Sequence, residues 1–73
     1  MPKLPVVSGA ELVRALERLG FERQRQRGSH VVLRRGGNGC VVPLHDQLKR
    51  GTLTGIIRQA GLPSDEVLEA LNQ

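Results

Sequence analysis

The sequence predicts an α+β domain, an α-β-β-β-α(-α) arrangement with a three-stranded antiparallel sheet and helices on one face. Three observations carry that expectation. A helix-period apolar stripe comes first and is followed by three short segments rich in β-branched or alternating residues. Two further helical stretches then close the chain. Strands joined by short Gly-rich turns pair antiparallel, and helices grouped at the two ends of the chain pack most economically on one face of such a sheet. With 73 residues there is room for one domain, 1–73, with 1–7 expected as a loose N-terminal segment.

The first helix has the clearest local signal. Ser8-Gly9-Ala10-Glu11 has the form of a capping box, with Ser8 as N-cap and Glu11 reaching back to it. Leu12, Val13, Leu16 and Leu19 follow at helical spacing, and Gly20 suits the left-handed residue that ends a helix. The predicted helix runs over 9–19. Beyond it, Phe21 to Arg27 is a charged strand expected near a sheet edge, with Phe21 itself in the core. Gly28 interrupts the extended chain, and His30 to Arg35 resumes it as a second strand. Gly36-Gly37-Asn38-Gly39 reads as a hairpin turn. Cys40 to Leu44 is the third strand, with Pro43 at an end or edge because it cannot donate to a ladder.

Thr52 is expected to cap a second helix, whose apolar face is Leu53, Ile56, Ile57 and Ala60 and whose stop is Gly61. Ser64, Asp65 and Glu66 open a short third helix, where two acids suit the positive end of the helix dipole. Val67, Leu68 and Leu71 would dock it.

Charge is distributed unevenly. The formal net charge is +4, and the pI of about 10.7 favours a polyanionic partner. From Phe21 to Arg35, five arginines (Arg23, Arg25, Arg27, Arg34, Arg35) stand against Glu22 alone. Acids and bases balance elsewhere, so the whole excess lies around His30. Phosphates that release counterions on binding would use such a patch directly. Phe21 is the only aromatic residue, so a surface that stacks bases on exposed rings is not available, and arginines and shape would have to carry any RNA contact.

His30 reads either as a polar-face strand residue or as a base able to take a proton from a hydroxyl near neutral pH. Gly28 beside it would let a ligand backbone come close. Ser29 is poorly placed as a nucleophile for His30, since adjacent strand residues point to opposite faces; a hydrogen bond to a phosphate or to its own backbone suits it better. His45 has an equal claim to be structural. Lys49 and Arg50 precede a helix start, a position suited to holding an anion. The glycines at 36, 37 and 39 have neither P-loop nor dinucleotide-loop spacing.

Cys40 is the only cysteine, which excludes an intrachain disulfide and fits a reducing compartment. Cys40, His30 and His45 lack a fourth ligand and close spacing, and the acids are scattered, so no metal and no other cofactor is expected. MPKLPVV has no apolar core of a signal peptide and no run approaches a membrane span, so a cytoplasmic protein without a membrane partner is expected.

Taken together, SGAELVRALERLGFERQRQRGSH, then VVPLH, then LKRGTLTGIIRQAGL resembles the HicA-type (YcfA-like) toxins of bacterial toxin–antitoxin pairs. The resemblance spans Ser8 to about Leu71 and rests on the helix-Gly-Phe start, the Gly-Ser-His triplet, the Pro-x-His pair and Gly-Thr-Leu in that order. It implies a fold like that of double-stranded-RNA-binding domains and a ribonuclease that cleaves mRNA without metal. The family's catalytic histidine, that of the triplet, carries over to His30, and the preceding glycine to Gly28. The resemblance also implies a HicB-type antitoxin as partner. RNA contacts are expected from Arg25, Arg27, Gly28, Ser29, Arg34, Lys49 and Arg50, with His45 as a secondary candidate. The strand after the triplet reads VVLRR where the family often has an aromatic residue, and the loop from His45 to Gly51 is short for the family.

Overall fold

A computed structural model describes residues 5–73. Helix α1 (Gly9–Arg18) is followed by strands β1 (Glu22–Arg27), β2 (His30–Arg35) and β3 (Asn38–Pro43), then helices α2 (Arg50–Ala60) and α3 (Ser64–Leu71). The strands form one antiparallel sheet in the order β1-β2-β3, as expected. Helix α2 packs on β3, α1 touches β3, and α3 packs on α1.

Helix α1 begins where the sequence predicts. The Ser8 hydroxyl accepts from the Glu11 amide at 3.1 Å, and the Glu11 carboxylate accepts from the Ser8 amide at 2.9 Å. That second bond holds the Glu11 carboxyl below its usual range. Leu12, Val13, Ala15 and Leu16 are buried, and Gly20 takes φ +97° as the chain leaves the helix.

The core lies between the helices and one face of the sheet. Val31, Leu33, Cys40 and Val42 supply the sheet side, and α1 and α2 supply Leu12, Leu16, Leu53, Ile56 and Ile57. Phe21 joins them as expected. Val7 is buried as well, and its carbonyl accepts from the Leu48 amide at 2.8 Å. The segment expected to be loose, 1–7, therefore ends in an anchored residue, while 1–4 lie outside the described residues.

Some expected boundaries shift. The hairpin turn is Gly36-Gly37 alone; Asn38 and Gly39 pair with Arg35 and Arg34 and belong to β3. Thr52 does not cap α2. The helix starts at Arg50 with Lys49 in the N-cap position and no side-chain cap, while the Thr54 hydroxyl bonds back to the Gly51 carbonyl at 3.1 Å. Burial of Leu48 and its backbone bond to Val7 position the chain ahead of the helix, so the start is set by packing and not by a cap. Pro43, expected at a strand end or edge, is the last residue of β3, which stops one residue short of the expected Leu44.

Candidate nucleic-acid interface

In an antiparallel pair, residues directly opposite each other share a face, and successive residues alternate between faces. The register therefore sorts every side chain of the sheet. Val31↔Val42 and Leu33↔Cys40 point to the helices. The alternate rows point away from them. One row is Arg27–His30–Pro43, the next is Arg25–Val32–Val41, and the third is Glu22–Arg34–Gly39. His30, Arg25, Arg27 and Arg34 thus share the face that no helix covers, and all four are exposed.

A break in register between Arg23 and Arg25 contributes to this arrangement. The extra residue at Gln24 brings Arg25 opposite Val32 and keeps Arg25 and Arg27 in phase with His30. Every residue of β1 is exposed, so the strand overhangs the helical layer as a basic edge. The other two arginines of the segment are committed elsewhere. Arg35 lies on the helix side, donates to the Leu19 carbonyl at 2.7 Å and covers the Phe21 ring at 5.1 Å from its centroid. Arg23 leans toward Glu17, with 3.9 Å between nitrogen and oxygen.

The turn before His30 is short and held. Arg27 pairs with His30, leaving Gly28-Ser29 as a two-residue connection. Gly28 has φ +54° and Ser29 has a negative φ, the pattern of a type II′ hairpin turn, which needs glycine at its first central position. The Gln26 side-chain carboxamide donates to the Gly28 carbonyl at 2.9 Å, and the Leu44 backbone amide donates to the Ser29 carbonyl at 2.6 Å. The Ser29 backbone is thereby tied to the end of β3 while its side chain stays exposed.

His45, Lys49 and Arg50 occupy the connection from β3 to α2. The His45 carbonyl accepts from the Gly9 amide at 2.9 Å, joining the start of α1 to the end of the sheet, and its imidazole is exposed. Lys49 and Arg50 border a separate depression together with Pro5, Val6, Leu48 and Leu53. His30, Arg25, Arg27 and Arg34 do not line that depression, so among the described residues these candidates form two groups and not one.

Among the described residues no cluster of three His, Cys, Asp or Glu is placed to hold a metal ion, and no helix is long and apolar enough to cross a membrane. Burial pushes the Cys40 thiol up to about 11. The reading of residue types did not single out Val32 and Val41, which form the apolar centre of the uncovered face; Val41 is 42% exposed. Alternation along VVLRR and CVVP held that signal, but only with the strand register known.

The sequence profile of a family described as the HicA toxin of bacterial toxin–antitoxin systems matches residues 9–62 of the chain. No curated protein matches it. The matched stretch runs from the first residue of α1 to just beyond α2, and so contains the whole sheet.

Proposed function

The chain belongs to the HicA toxin family of bacterial toxin–antitoxin systems, and from that premise we propose that it is a metal-independent endoribonuclease acting on mRNA, with His30 as general base. The observation that supports this most directly is the shared face: His30 stands between Arg27 and Pro43, with Arg25 in the next row and Arg34 in the row beyond it.

In the proposed reaction the His30 imidazole takes the proton from a ribose 2′-hydroxyl. The 2′-oxygen attacks the adjacent phosphorus, and the bond from phosphorus to the 5′-oxygen breaks. A 2′,3′-cyclic phosphate remains on one fragment. The leaving 5′-oxygen takes up a proton, from an arginine-bound water or from His45, and becomes a 5′-hydroxyl. Arg25, Arg27 and Arg34 position the strand and offset charge that develops on the phosphoryl oxygens. Gly28 and Ser29 present backbone and hydroxyl groups beside the base. Lys49 and Arg50, at the start of α2, would engage the strand at a distance from the cleaved bond. A HicB-type antitoxin would restrain the activity by covering this uncovered sheet face.

The test compares wild type with His30→Ala on a defined RNA in EDTA, with the cleaved ends analysed chemically. A positioned base contributes on the order of 10²–10⁴-fold, so the variant should lose activity in that range while still binding RNA. Wild-type products should carry cyclic-phosphate ends. Equal cleavage by both proteins would remove His30 from the mechanism.

A further inference from the structure

The uncovered sheet face carries more than charge. Toward the β3 edge of the sheet lies a shallow groove of about 410 Å³, lined by Val32, Arg34, Gly39, Val41 and, from α2 where it packs against β3, Gln59. Its size falls in the range of small-ligand sites, roughly 300–1,000 Å³. We propose that this groove is a nucleobase subsite, seating the base of a nucleotide next to the phosphate held at His30. The proposal rests on the ribonuclease reading above and names the residues that would give it base selectivity.

Four observations support it. First, Val32 and Val41 are cross-strand partners, and Val41 is one of the two large apolar side chains left exposed among the described residues. In a domain whose only phenyl ring is in the core, this pair is the apolar surface on which a base can lie flat. Second, the pair sits one row from His30. Two residues along a strand is about 7 Å, so a base on this row and a phosphate at His30 can belong to the same or adjacent nucleotides.

Third, the groove is open because of Gly39. This residue stands opposite Arg34, and a β-carbon placed there would make only ordinary contacts, 3.5 Å from the Leu33 carbonyl oxygen and 3.9 Å from Arg34 Nε. Neither a positive φ nor a core neighbour requires glycine here, so its effect is to leave space on the face. Fourth, Gln59 brings a carboxamide to the wall from α2 and is exposed. A carboxamide both donates and accepts, which is what a base edge requires; a glutamine can pair with adenine in bidentate fashion. The surrounding Arg25, Arg27 and Arg34 make a polyanion the occupant that the charge favours.

The test has two arms. In the first, a randomised RNA pool is cleaved by wild type, Gly39→Val and Gln59→Ala, and the ends are sequenced. Valine suits a strand and fills the groove; alanine shortens an exposed helix residue. Wild type should favour one base beside the cleaved bond. Gln59→Ala should relax that preference roughly tenfold, within the range a bidentate amide–base contact discriminates. On a defined RNA, Gly39→Val should slow cleavage at the preferred base and spare it where that base is replaced by an abasic position.

The second arm needs no catalysis. Nucleoside monophosphates and ribose 5-phosphate are titrated separately into the wild-type protein and followed by amide NMR shifts. The nucleotides should move Val32, Gly39, Val41 and the Gln59 side-chain amide, and ribose 5-phosphate should move only the arginine-bearing rows. Base-dependent shifts without cleavage would overturn the ribonuclease reading and keep the subsite. Unchanged base preference in both variants, or equal shifts from ribose 5-phosphate, would overturn the subsite. So would a groove that shifts only when an antitoxin is added, which would mark it as a protein contact.

Discussion

Cys40 shows how much a single residue's environment changes its chemistry. Its side chain points from β3 into the core, where transfer of a thiolate from water is costly, and the thiol is raised from the ordinary 9.0 to about 11. The sign of the linkage follows. Below about pH 9 the thiol is neutral in both folded and unfolded chains and adds no pH dependence. Between about 9 and 11 the unfolded chain loses its proton while the folded one keeps it, so the Cys40 contribution to stability falls as pH rises through that window. Denaturant midpoints measured at pH 8, 9, 10 and 11 should drop more steeply for wild type than for Cys40→Ala. In native protein at neutral pH, iodoacetamide should label Cys40 only as fast as the sheet opens.

Among the elements, the contact between the start of α1 and the end of β3 is the most demanding. A β-carbon at Gly9 would run into the Pro43 carbonyl oxygen and come within 2.9 Å of the Leu44 Cα, both of them backbone. The Gly9 amide also donates to the His45 carbonyl, so the helix cannot withdraw without losing that bond. Gly9→Ala should therefore destabilise the domain by about 3 kcal/mol, the upper part of the range for overpacking a filled site. Ala10→Gly, one residue on at an exposed position, should cost about 1 kcal/mol or less through helix propensity alone. Thermal melts of the two variants separate the steric cost from the propensity cost. The same joint holds the β3 end that the Leu44 amide ties to Ser29. A displaced α1 should thus also disturb the turn before His30, visible as shifted Gly28 and Ser29 amides.

Across the whole molecule, the net charge of +4 matters through where it lies. Helices and core occupy one side of the sheet, and the other side keeps Arg25, Arg27 and Arg34 in solvent. For single-stranded RNA, each phosphate neutralised changes the slope of log K against log salt by about 0.7. Arg25→Ala, Arg27→Ala and Arg34→Ala should each reduce the measured slope by about that amount. Arg35→Ala should leave the slope unchanged and lower the melting temperature instead, because Arg35 covers Phe21 and bonds to Leu19. Fluorescence anisotropy over a salt series, with melts of the same proteins, tests both halves of that expectation.

The order and type of the elements were readable along the chain, since those follow from local chemistry. The Ser8–Glu11 box, the apolar stripe from Leu12 to Leu19, Gly28 at a turn and Pro43 at a strand end are all short-range signals, and each acts as read. Local chemistry misled where packing decided: Thr52 could cap a helix, but the buried Leu48 set α2 to start at Arg50. His30 and the arginine excess were legible as a candidate site, whereas their common face was not. A one-residue slip in register turns every side chain over, and sequence spacing does not specify which strand residues lie opposite each other. The fold stands Arg25, Arg27 and Arg34 with His30 and turns Arg23 and Arg35 to the other side, through the bulge at Gln24 and the alternation along β2 that lays Arg35 over Phe21. It also decided that Val32, Gly39 and Val41 meet as one open surface, because neighbours across a sheet are set by pairing and not by distance along the chain.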